Sequence, residues 1–268
     1  MGKLASHPWA KFYDAYYFAH CCGRPYERSE EWLRFFGSIA DRIVRDIQPR
    51  TVLDAGCAMG FLVEALRDRG VEAYGIDISK YAIERVRPDI REYCWVASVT
   101  EELDRWYDLI VCIEVLEHLT AREAEQAVAN FCNHTDDILF SSTPFDYKEA
   151  THLNVQPPEY WAEAFARHGF FRDVDFDASF ITPWAMRLRR CREPMHRIVR
   201  HYERRYWTLW QENLELRALA LELRERVAAQ EQEIHRLRSL EDQASPRSNL
   251  GACKVLRGIV RWLRGRGK

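Results

Sequence analysis

One segment sets the fold class of this chain: Thr51-Val-Leu-Asp-Ala-Gly-Cys-Ala-Met-Gly-Phe-Leu-Val63. Val52 and Leu53 form a short apolar run, and the residues after Gly60 show helical spacing of apolar side chains. Gly56 and Gly60 allow the backbone to turn tightly between the two. A buried strand that passes through a glycine turn into a helix N-terminus is typical of sites for nucleotide-like ligands. The segment predicts an α/β domain with such a site.

The glycine pattern, D-x-G-x-x-x-G, narrows the kind of ligand. It differs from the G-x-G-x-x-G of dinucleotide binders and lacks the Gly-Lys-Ser/Thr of a P-loop. It resembles the first motif of the class I S-adenosylmethionine-dependent methyltransferases. Asp54, Gly56 and Gly60 of this chain match that motif residue by residue. The resemblance implies that this loop lies against the methionine part of the cofactor and that the acid helps to place it. The alternative is a tight turn in another α/β domain.

A second acid supports the same interpretation. Ala73-Tyr-Gly-Ile-Asp77 is predicted to be a strand that ends in a carboxylate, about twenty residues beyond the first glycine, where ribose-binding acids occur in βαβ units. A carboxylate there can accept hydrogen bonds from both ribose hydroxyls. We therefore predict that Asp77 and Ile78 bind the cofactor. The alternative is that Asp77 caps the helix that begins near Ser79.

Length and composition limit the class of protein. A chain of 268 residues with 47% hydrophobic residues has room for one domain of about 150 to 250 residues and an appendage. The sequence has no run long enough to span a bilayer and no apolar signal segment near its start. Its eight cysteines are scattered without metal-type spacing. We therefore expect a cytoplasmic protein with reduced cysteines.

From residue 51 the chain alternates between the two kinds of element. Strands are predicted at 51–55, 72–76, 93–97, 108–113 and 137–142, with helices at 60–69, 79–86, 121–132 and 158–168. This alternation predicts a doubly wound sheet. Extended runs at 170–176 and 179–186 would supply a final pair of strands, and the resemblance implies a seven-stranded Rossmann-like sheet whose last strand is antiparallel.

Four regions follow from this pattern: an N-terminal helical cap (1–50), a methyltransferase domain (51–186), a basic and aromatic linker with a coiled-coil helix (187–242), and a basic amphipathic tail (243–268). The first region is rich in aromatic residues and contains a predicted helix at 29–47, which Pro49 stops. Side chains expected at the acceptor pocket are Tyr16, Tyr17, Tyr26 and Arg28. Packing of the cap on the sheet accounts equally well for most of them.

The resemblance also implies an acid after the third strand that reaches the adenine amino group. Here Ser98 stands in that place, followed by Val99, so a hydroxyl or the backbone would have to make the contact. The fourth strand then ends in Glu114-Val-Leu-Glu-His118. Because ligands bind outside the carboxyl ends of parallel strands, Glu114, Glu117 and His118 are expected near the site of methyl transfer. Glu114 is also predicted to be one of the cofactor-binding residues.

The E-V-L-E-H pattern resembles several branches of the class. These are methyltransferases of small molecules and sugars, O-methyltransferases of the ubiquinone pathway, and small-RNA 2′-O-methyltransferases. In the last two, acids and imidazoles of this kind can hold a divalent metal. Glu114, Glu117, His118 and His152 are therefore an alternative metal set. The pattern also occurs in enzymes without a metal, so a metal is not favoured.

The loop after the fifth strand carries a candidate base. O-methylation requires a hydroxyl to lose its proton as it attacks the sulfonium methyl group, and a neutral imidazole can accept that proton. His152 is the predicted general base, with Asp146 or Glu117 as its orienting group. The alternative is that His152 only orders the loop through a hydrogen bond.

The last third of the chain differs in composition. Residues 187–207 hold eight arginines against two glutamates and can face phosphates or pack as a solvated helix. Residues 208–242 predict a long helix. Its apolar seam recurs at steps of three and four and consists of Leu216, Leu219, Leu223, Val227, Gln230, Ile234 and Leu237. Two successive steps of four residues, from Leu219 through Leu223 to Val227, interrupt the alternation that a coiled coil requires. The seam predicts self-association or, alternatively, docking on the same chain's catalytic domain.

Residues 250–268 predict a basic amphipathic helix. From Pro246 onward there are seven Lys or Arg and no acid, so we expect contact with an anionic membrane surface, at the inner membrane face for a cytoplasmic protein. The alternative is a flexible solubilising tail.

Three functions are compatible with these patterns. The favoured one is S-adenosylmethionine-dependent O-methylation of a sugar or glycan intermediate by direct displacement. The second is a metal-dependent RNA ribose 2′-O-methyltransferase, which the acidic body of the protein opposes because nucleic acid is itself anionic. The third is a non-catalytic coiled-coil scaffold, which the intact Asp54, Gly56, Gly60 and Asp77 oppose.

Overall fold

Seven strands form one mixed sheet in this computed structural model, which describes residues 9–244 and the side chains of 9–241. The strands are β1 (Thr51–Ala55), β2 (Glu72–Asp77), β3 (Cys94–Val96), β4 (Leu109–Ile113), β5 (Asp137–Ser141), β6 (Phe170–Arg172) and β7 (Met186–Arg190). Their order across the sheet is β3-β2-β1-β4-β5-β7-β6. Strands β1 to β5 are parallel, and β7 pairs antiparallel with both β5 and β6. The predicted doubly wound, seven-stranded sheet is confirmed.

Helices cover both faces of this sheet. They are α1 (Ala15–His20), α2 (Glu30–Asp46), α3 (Phe61–Arg67), α4 (Lys80–Ile83), α5 (Ala121–His134), α6 (Pro158–Ala166) and α7 (Met195–Ala244), with short 3-10 helices at Ala10–Phe12, Arg91–Tyr93 and Leu116–His118. One apolar core contains side chains of α2, α3 and α4, and a second contains those of α5 and α6. Successive strand residues alternate between them, as with Val52 and Leu53.

Helix α2 confirms the N-terminal helix predicted at 29–47. The Ser29 hydroxyl accepts a hydrogen bond from the Trp32 amide and caps the helix start. The helix ends before Pro49, and its buried face consists of Phe36, Ile39, Ala40 and Ile43.

The last pair of strands differs from the prediction. The strand predicted at 179–186 is wrong, because 179–185 form turns around Pro183 and the strand proper is Met186–Arg190. Three arginines that the sequence analysis placed in a basic linker therefore lie in the sheet. Arg187 donates to Asp137 Oδ1 at 2.9 Å, and Arg190 pairs with Asp136. These carboxylates on neighbouring segments allow charged side chains to occupy a strand beside the core.

The chain divides into two compact units, with the boundary between His201 and Tyr202. The boundary falls within α7, which is continuous from Met195 to Ala244. Among the described residues, no helix has the length and apolar content that crossing a membrane requires. The segment predicted to contact a membrane, 250–268, lies outside the described residues.

The glycine loop between β1 and α3 is held by backbone geometry. Gly56 has φ of +92°, and a Cβ placed on it would overlap the Val115 Cγ2 methyl group. A side chain at this position would therefore meet both backbone strain and a steric clash with a residue that follows β4.

We expect Gly56→Ala to lower the free energy of unfolding by about 2–5 kcal/mol, since left-handed strain costs about 1–2 kcal/mol and overpacking about 1–3 kcal/mol. Gly70→Ala is the matched control, because Gly70 has φ of +81° but a Cβ at that position would meet no neighbouring atom within 4 Å. The free energy of unfolding of Gly70→Ala should fall only by the contribution of left-handed backbone strain. Urea denaturation measures both variants, and equal losses would contradict the role of the Val115 contact.

Candidate active site

A cavity of about 480 Å³ opens at the carboxyl ends of β1, β2, β4 and β5. Parallel strands end together at this edge, so side chains from distant parts of the sequence meet there. All of the predicted cofactor-binding residues except Gly60 line the cavity: Asp54, Gly56, Asp77, Ile78, Ser98, Val99 and Glu114. Gly60 instead forms the N-cap of α3 with φ of +73°, so its role is in the backbone turn.

Asp77 joins the glycine loop to the end of β2. Its Oδ2 accepts a hydrogen bond from the Ala58 amide at 2.8 Å, and its Oδ1 accepts one from the Ser79 amide at 2.7 Å. Burial raises the pKa of Asp77, and these two hydrogen bonds oppose the rise. The alternative role as the cap of α4 is wrong, because the Ser79 hydroxyl caps that helix by accepting from the Ala82 amide.

Asp54 is the second acid at the cofactor end of the cavity. Only 5% of its surface is exposed. Burial, followed by the negative charge of Asp77, raises its pKa to about 8. Near neutral pH, Asp54 is therefore mostly protonated until a positive group approaches it.

Ser98 and Glu114 have partners that the sequence did not indicate. The Ser98 hydroxyl lies 2.7 Å from the Thr100 hydroxyl, so it bonds locally. Glu114 has φ of +53°, which is unusual for a residue other than glycine, and its Oε1 accepts from Trp184 Nε1 at 3.0 Å. Trp184 is 70 residues away in sequence, and no local pattern marks it.

A second cluster of functional side chains also lines the cavity. Single ligand atoms of Glu117, His118 and His152 lie within 4.8 Å of one another. The first two are on the 3-10 helix after β4, and His152 is on the loop after β5. That loop is fastened to the 3-10 helix because the amides of Leu153 and Asn154 both donate to the Glu117 carbonyl.

Glu117 is fully buried, and its pKa is raised well above the usual range by burial and then by the charge of Glu114. The hydrogen-bond and ion-pair partners of His152 lie on its own loop, so the structure does not show Glu117 as the group that orients its ring. Oε2 of Glu117 has no hydrogen-bond partner among the described residues.

His118 is kept neutral. Burial, followed by the neighbouring charge of His152, lowers its pKa to about 3. Its Nδ1 lies 2.9 Å from the Thr151 hydroxyl, which donates its own proton to Glu149 Oε1. Nδ1 of His118 is therefore the donor in that contact, and its Nε2 lone pair faces the Tyr17 hydroxyl at 3.5 Å.

His152 is held by groups on its own loop. Its Nδ1 donates to the Asp146 carbonyl oxygen at 2.7 Å, and its Nε2 lies 3.3 Å from Glu149 Oε2. The Asp146 carboxylate instead accepts from the Lys148 amide at 3.2 Å. Asp146 therefore orients His152 through its backbone, and the acid beside the imidazole is Glu149, which sequence reasoning missed.

The N-terminal segment covers the cavity with aromatic side chains. Tyr13, Tyr17 and Tyr26 line it. Tyr17 and Tyr26 were predicted, and Tyr13 was missed. Two other predicted acceptor-pocket residues do not reach it: Tyr16 is 69% exposed, and Arg28 pairs with Glu64.

The predicted metal set is only partly assembled. Glu117, His118 and His152 come together, whereas the Glu114 carboxylate bonds to Trp184 and is not part of the cluster. Within the described part of the chain, this is a three-ligand group that includes a fully buried carboxyl group with a raised pKa.

The lining residues fit S-adenosylmethionine. Each Asp77 oxygen retains a lone pair for a ribose hydroxyl after its backbone hydrogen bond. Asp54 presents a carboxyl group that the positive ammonium or sulfonium group of a bound cofactor would help to ionise. A cavity of about 480 Å³ is also within the range of small-molecule sites.

This sheet order, glycine loop and strand-end carboxylate define a class I S-adenosylmethionine-dependent methyltransferase. The profile of the family described as "Methyltransferase domain" matches residues 26–221, and the chain belongs to that family. A solved structure with the same fold is the magnesium protoporphyrin IX methyltransferase of Synechocystis PCC 6803 with bound S-adenosylmethionine. It is 19% identical with a TM-score of 0.52, over 70% of this chain and 99% of that chain.

Curated relatives match a shorter part of the chain. The ubiquinone biosynthesis O-methyltransferase of Nitrosomonas europaea is 32% identical over 87 residues, which are 30% of this chain and 37% of that protein. The protein of the same name from Alkalilimnicola ehrlichii is 31% identical over 123 residues, which are 42% of this chain and 46% of that protein. The chain thus spans less than half the length of these two relatives.

We expect Asp77→Asn to weaken S-adenosylmethionine binding about 10- to 100-fold, because an amide retains one acceptor oxygen and loses the charge that strengthens ribose hydrogen bonds. Glu72→Gln is the matched control, since it changes an exposed acid at the opposite end of the same strand. Isothermal titration calorimetry measures both affinities. An unchanged affinity of Asp77→Asn would remove this residue from the site.

The pKa of Asp54 predicts a pH dependence of binding. A cationic cofactor favours the ionised carboxyl group, which is the minority form below a pKa of about 8. The affinity should therefore rise with pH, by up to about tenfold per unit between about pH 6 and about pH 7.5, with release of a proton. Asp54→Asn should remove this dependence. If the affinity of the wild type and of Asp54→Asn rises equally with pH, the pH dependence belongs to another group.

Proposed function

We propose that this protein transfers a methyl group from S-adenosylmethionine to a hydroxyl group on an aromatic ring. The observation that supports this most directly is the cavity that joins the cofactor residues around Asp77 to the His152–Glu149 pair. The bound cofactor would supply an electrophilic methyl group. The protein's own residues would hold the acceptor in line with it and take up the hydroxyl proton.

Three observations support an aromatic acceptor. Aromatic side chains form much of the cavity wall, namely Tyr13, Tyr17, Tyr26, Trp32, Phe35 and Phe36. Such a wall can stack on or contact the edge of a planar ring. Loss of a proton is also easier from a phenol, with a pKa of about 10, than from a sugar hydroxyl, so an imidazole can serve as its base. Finally, the curated relatives are named for O-methylation in ubiquinone biosynthesis.

This acceptor replaces the sugar or glycan expected from the sequence, because the relatives' names do not point to a sugar. The cytoplasmic location and peripheral membrane contact remain predictions. The scaffold alternative is disfavoured by the assembled site and by membership of the methyltransferase family.

His152 is the proposed general base. Its Nδ1–H is engaged by the Asp146 carbonyl, so Nε2 is the nitrogen that can accept a proton. The Glu149 carboxylate, 3.3 Å from Nε2, would stabilise the imidazolium that forms. His118 is unsuited to this role because its pKa of about 3 makes it a weak base. We propose that His118 instead positions the acceptor together with Tyr17.

A metal-dependent mechanism is the second candidate, because Glu117, His118 and His152 lie close enough to share an ion. RNA as the acceptor gains less support. Arg187 and Arg190, which belong to the segment expected to face phosphates, pair with Asp137 and Asp136 in the sheet. Neutralised in this way, they contribute little to an anion-binding surface.

Turnover tests the proposal. Catechol-type aromatic acceptors should yield S-adenosylhomocysteine, and monosaccharides should not. His152→Gln should lower kcat about 10²- to 10⁴-fold with unchanged cofactor affinity, since it removes the proton acceptor. His168→Gln, at an exposed histidine after α6, is the matched control.

The same assay separates the mechanisms. Turnover should persist with a chelator. A loss on chelation that magnesium or manganese reverses would favour the metal mechanism. A full rate for His152→Gln with loss of activity in His118→Gln would reassign the base.

A further inference from the structure

The second compact unit presents a long apolar face. From Tyr202 onward α7 is continuous, and its large apolar side chains are 39% to 67% exposed at Tyr202, Tyr206, Leu209, Leu216, Leu223, Val227, Ile234 and Leu237. These residues recur at steps of three, four or seven. A helix of about forty residues, about 60 Å long, that exposes such a seam requires a partner helix to bury it.

The seam follows an unbroken heptad repeat. If Ala220 rather than Leu219 is assigned to the seam, the two successive steps of four residues disappear and the steps alternate between four and three from Leu216 to Leu237. The a positions are then Tyr206, Asn213, Ala220, Val227 and Ile234, and the d positions are Tyr202, Leu209, Leu216, Leu223, Gln230 and Leu237. A strict seven-residue repeat over five heptads is the pattern of a left-handed coiled coil.

The residue types at these positions indicate the number and direction of the strands. Val227 and Ile234 are β-branched residues at a positions, and leucine occupies four of the d positions. This combination favours two parallel strands. Asn213 is a single asparagine at an a position, which can hydrogen-bond to its counterpart only in a parallel, aligned pair.

The flanking charges are complementary in that arrangement. In a parallel dimer each g residue faces the e residue five positions later on the partner helix. The charged pairs formed are Glu212 with Arg217, Arg226 with Glu231, and Glu233 with Arg238, so each joins opposite charges. Between 202 and 241 no such pair joins like charges. The ion pairs these groups make within their own helix are exposed, such as Arg226–Glu222 at 69% and 54%, so they can exchange partners at little cost.

We propose that residues 202–241 form a parallel, in-register, two-stranded coiled coil with the same helix of a second copy of this chain. The a and d side chains bury the seam, Asn213 sets the register, and the three charged pairs fix the direction. This inference does not depend on the methyl acceptor or on the identity of the base.

Sedimentation equilibrium of the full chain tests the assembly. The wild type should be a dimer that dissociates on dilution. Leu223→Glu, at a d position, should weaken dimerisation at least 100-fold, whereas the matched control Leu221→Glu, at an outward b position with 60% exposure, should leave it unchanged. Retained S-adenosylmethionine binding shows that both variants are folded. A monomeric wild type, or equal effects of the two variants, would overturn the proposal.

A charge-reversal cycle tests the direction. Glu212→Arg and Arg217→Glu should each weaken the dimer, by about 3- to 30-fold for two symmetry-related pairs. The double variant should recover to within about threefold of the wild type, because opposite charges face each other again. Failure of the double variant to recover would overturn the parallel register. Asn213→Leu should permit higher oligomers, since no polar residue then fixes two strands.

Discussion

The hydrogen bonds that tie the glycine loop to the end of β2 are the constraint on which the site depends. The amides of Gly56 and Cys57 donate to the Ile76 carbonyl, and the Ala58 amide donates to the Asp77 carboxylate. These bonds bring the segment after β1 across the end of the neighbouring strand. They require a left-handed residue at Gly56 and no side chain there, because Val115 fills the adjacent space. The cavity, the placement of Asp77 and the position of the E-V-L-E-H segment all follow from this crossing.

Burial then determines the charge state of the site. Asp54 and Glu117 lie where water is excluded, so both hold protons more tightly than free carboxylic acids do. His118 is kept neutral for the same reason. Without its ligands the cavity therefore carries less charge than the sequence suggests. A positively charged cofactor beside Asp54 would favour the ionised form of that carboxyl group. Cofactor binding would therefore be linked to proton release.

Much of the fold was predictable because it follows from local patterns. The strands that are buried on both faces are apolar runs, and the helix caps and glycines mark their ends. The prediction was wrong where pairing is non-local. The arginines of β7 look like a linker in sequence because the carboxylates that neutralise them, Asp136 and Asp137, lie about fifty residues earlier. At the site, Trp184 was missed for the same reason, because it lies 70 residues from Glu114. Glu149 is only three residues from His152 and was missed because it belongs to no recognisable motif.

By itself, the sequence determined the α/β class, the cofactor loop, Asp77 at the end of the second strand and the approximate position of the acid-imidazole cluster. These depend on residue type and on spacing along one chain segment, which sterics and backbone hydrogen bonding translate directly into structure. Only the tertiary structure decided that His118 is neutral, which backbone or side-chain atom holds His152, and that Glu114 bonds to Trp184. Charge states and hydrogen-bond partners depend on burial and on distances between elements that meet only after the sheet has formed.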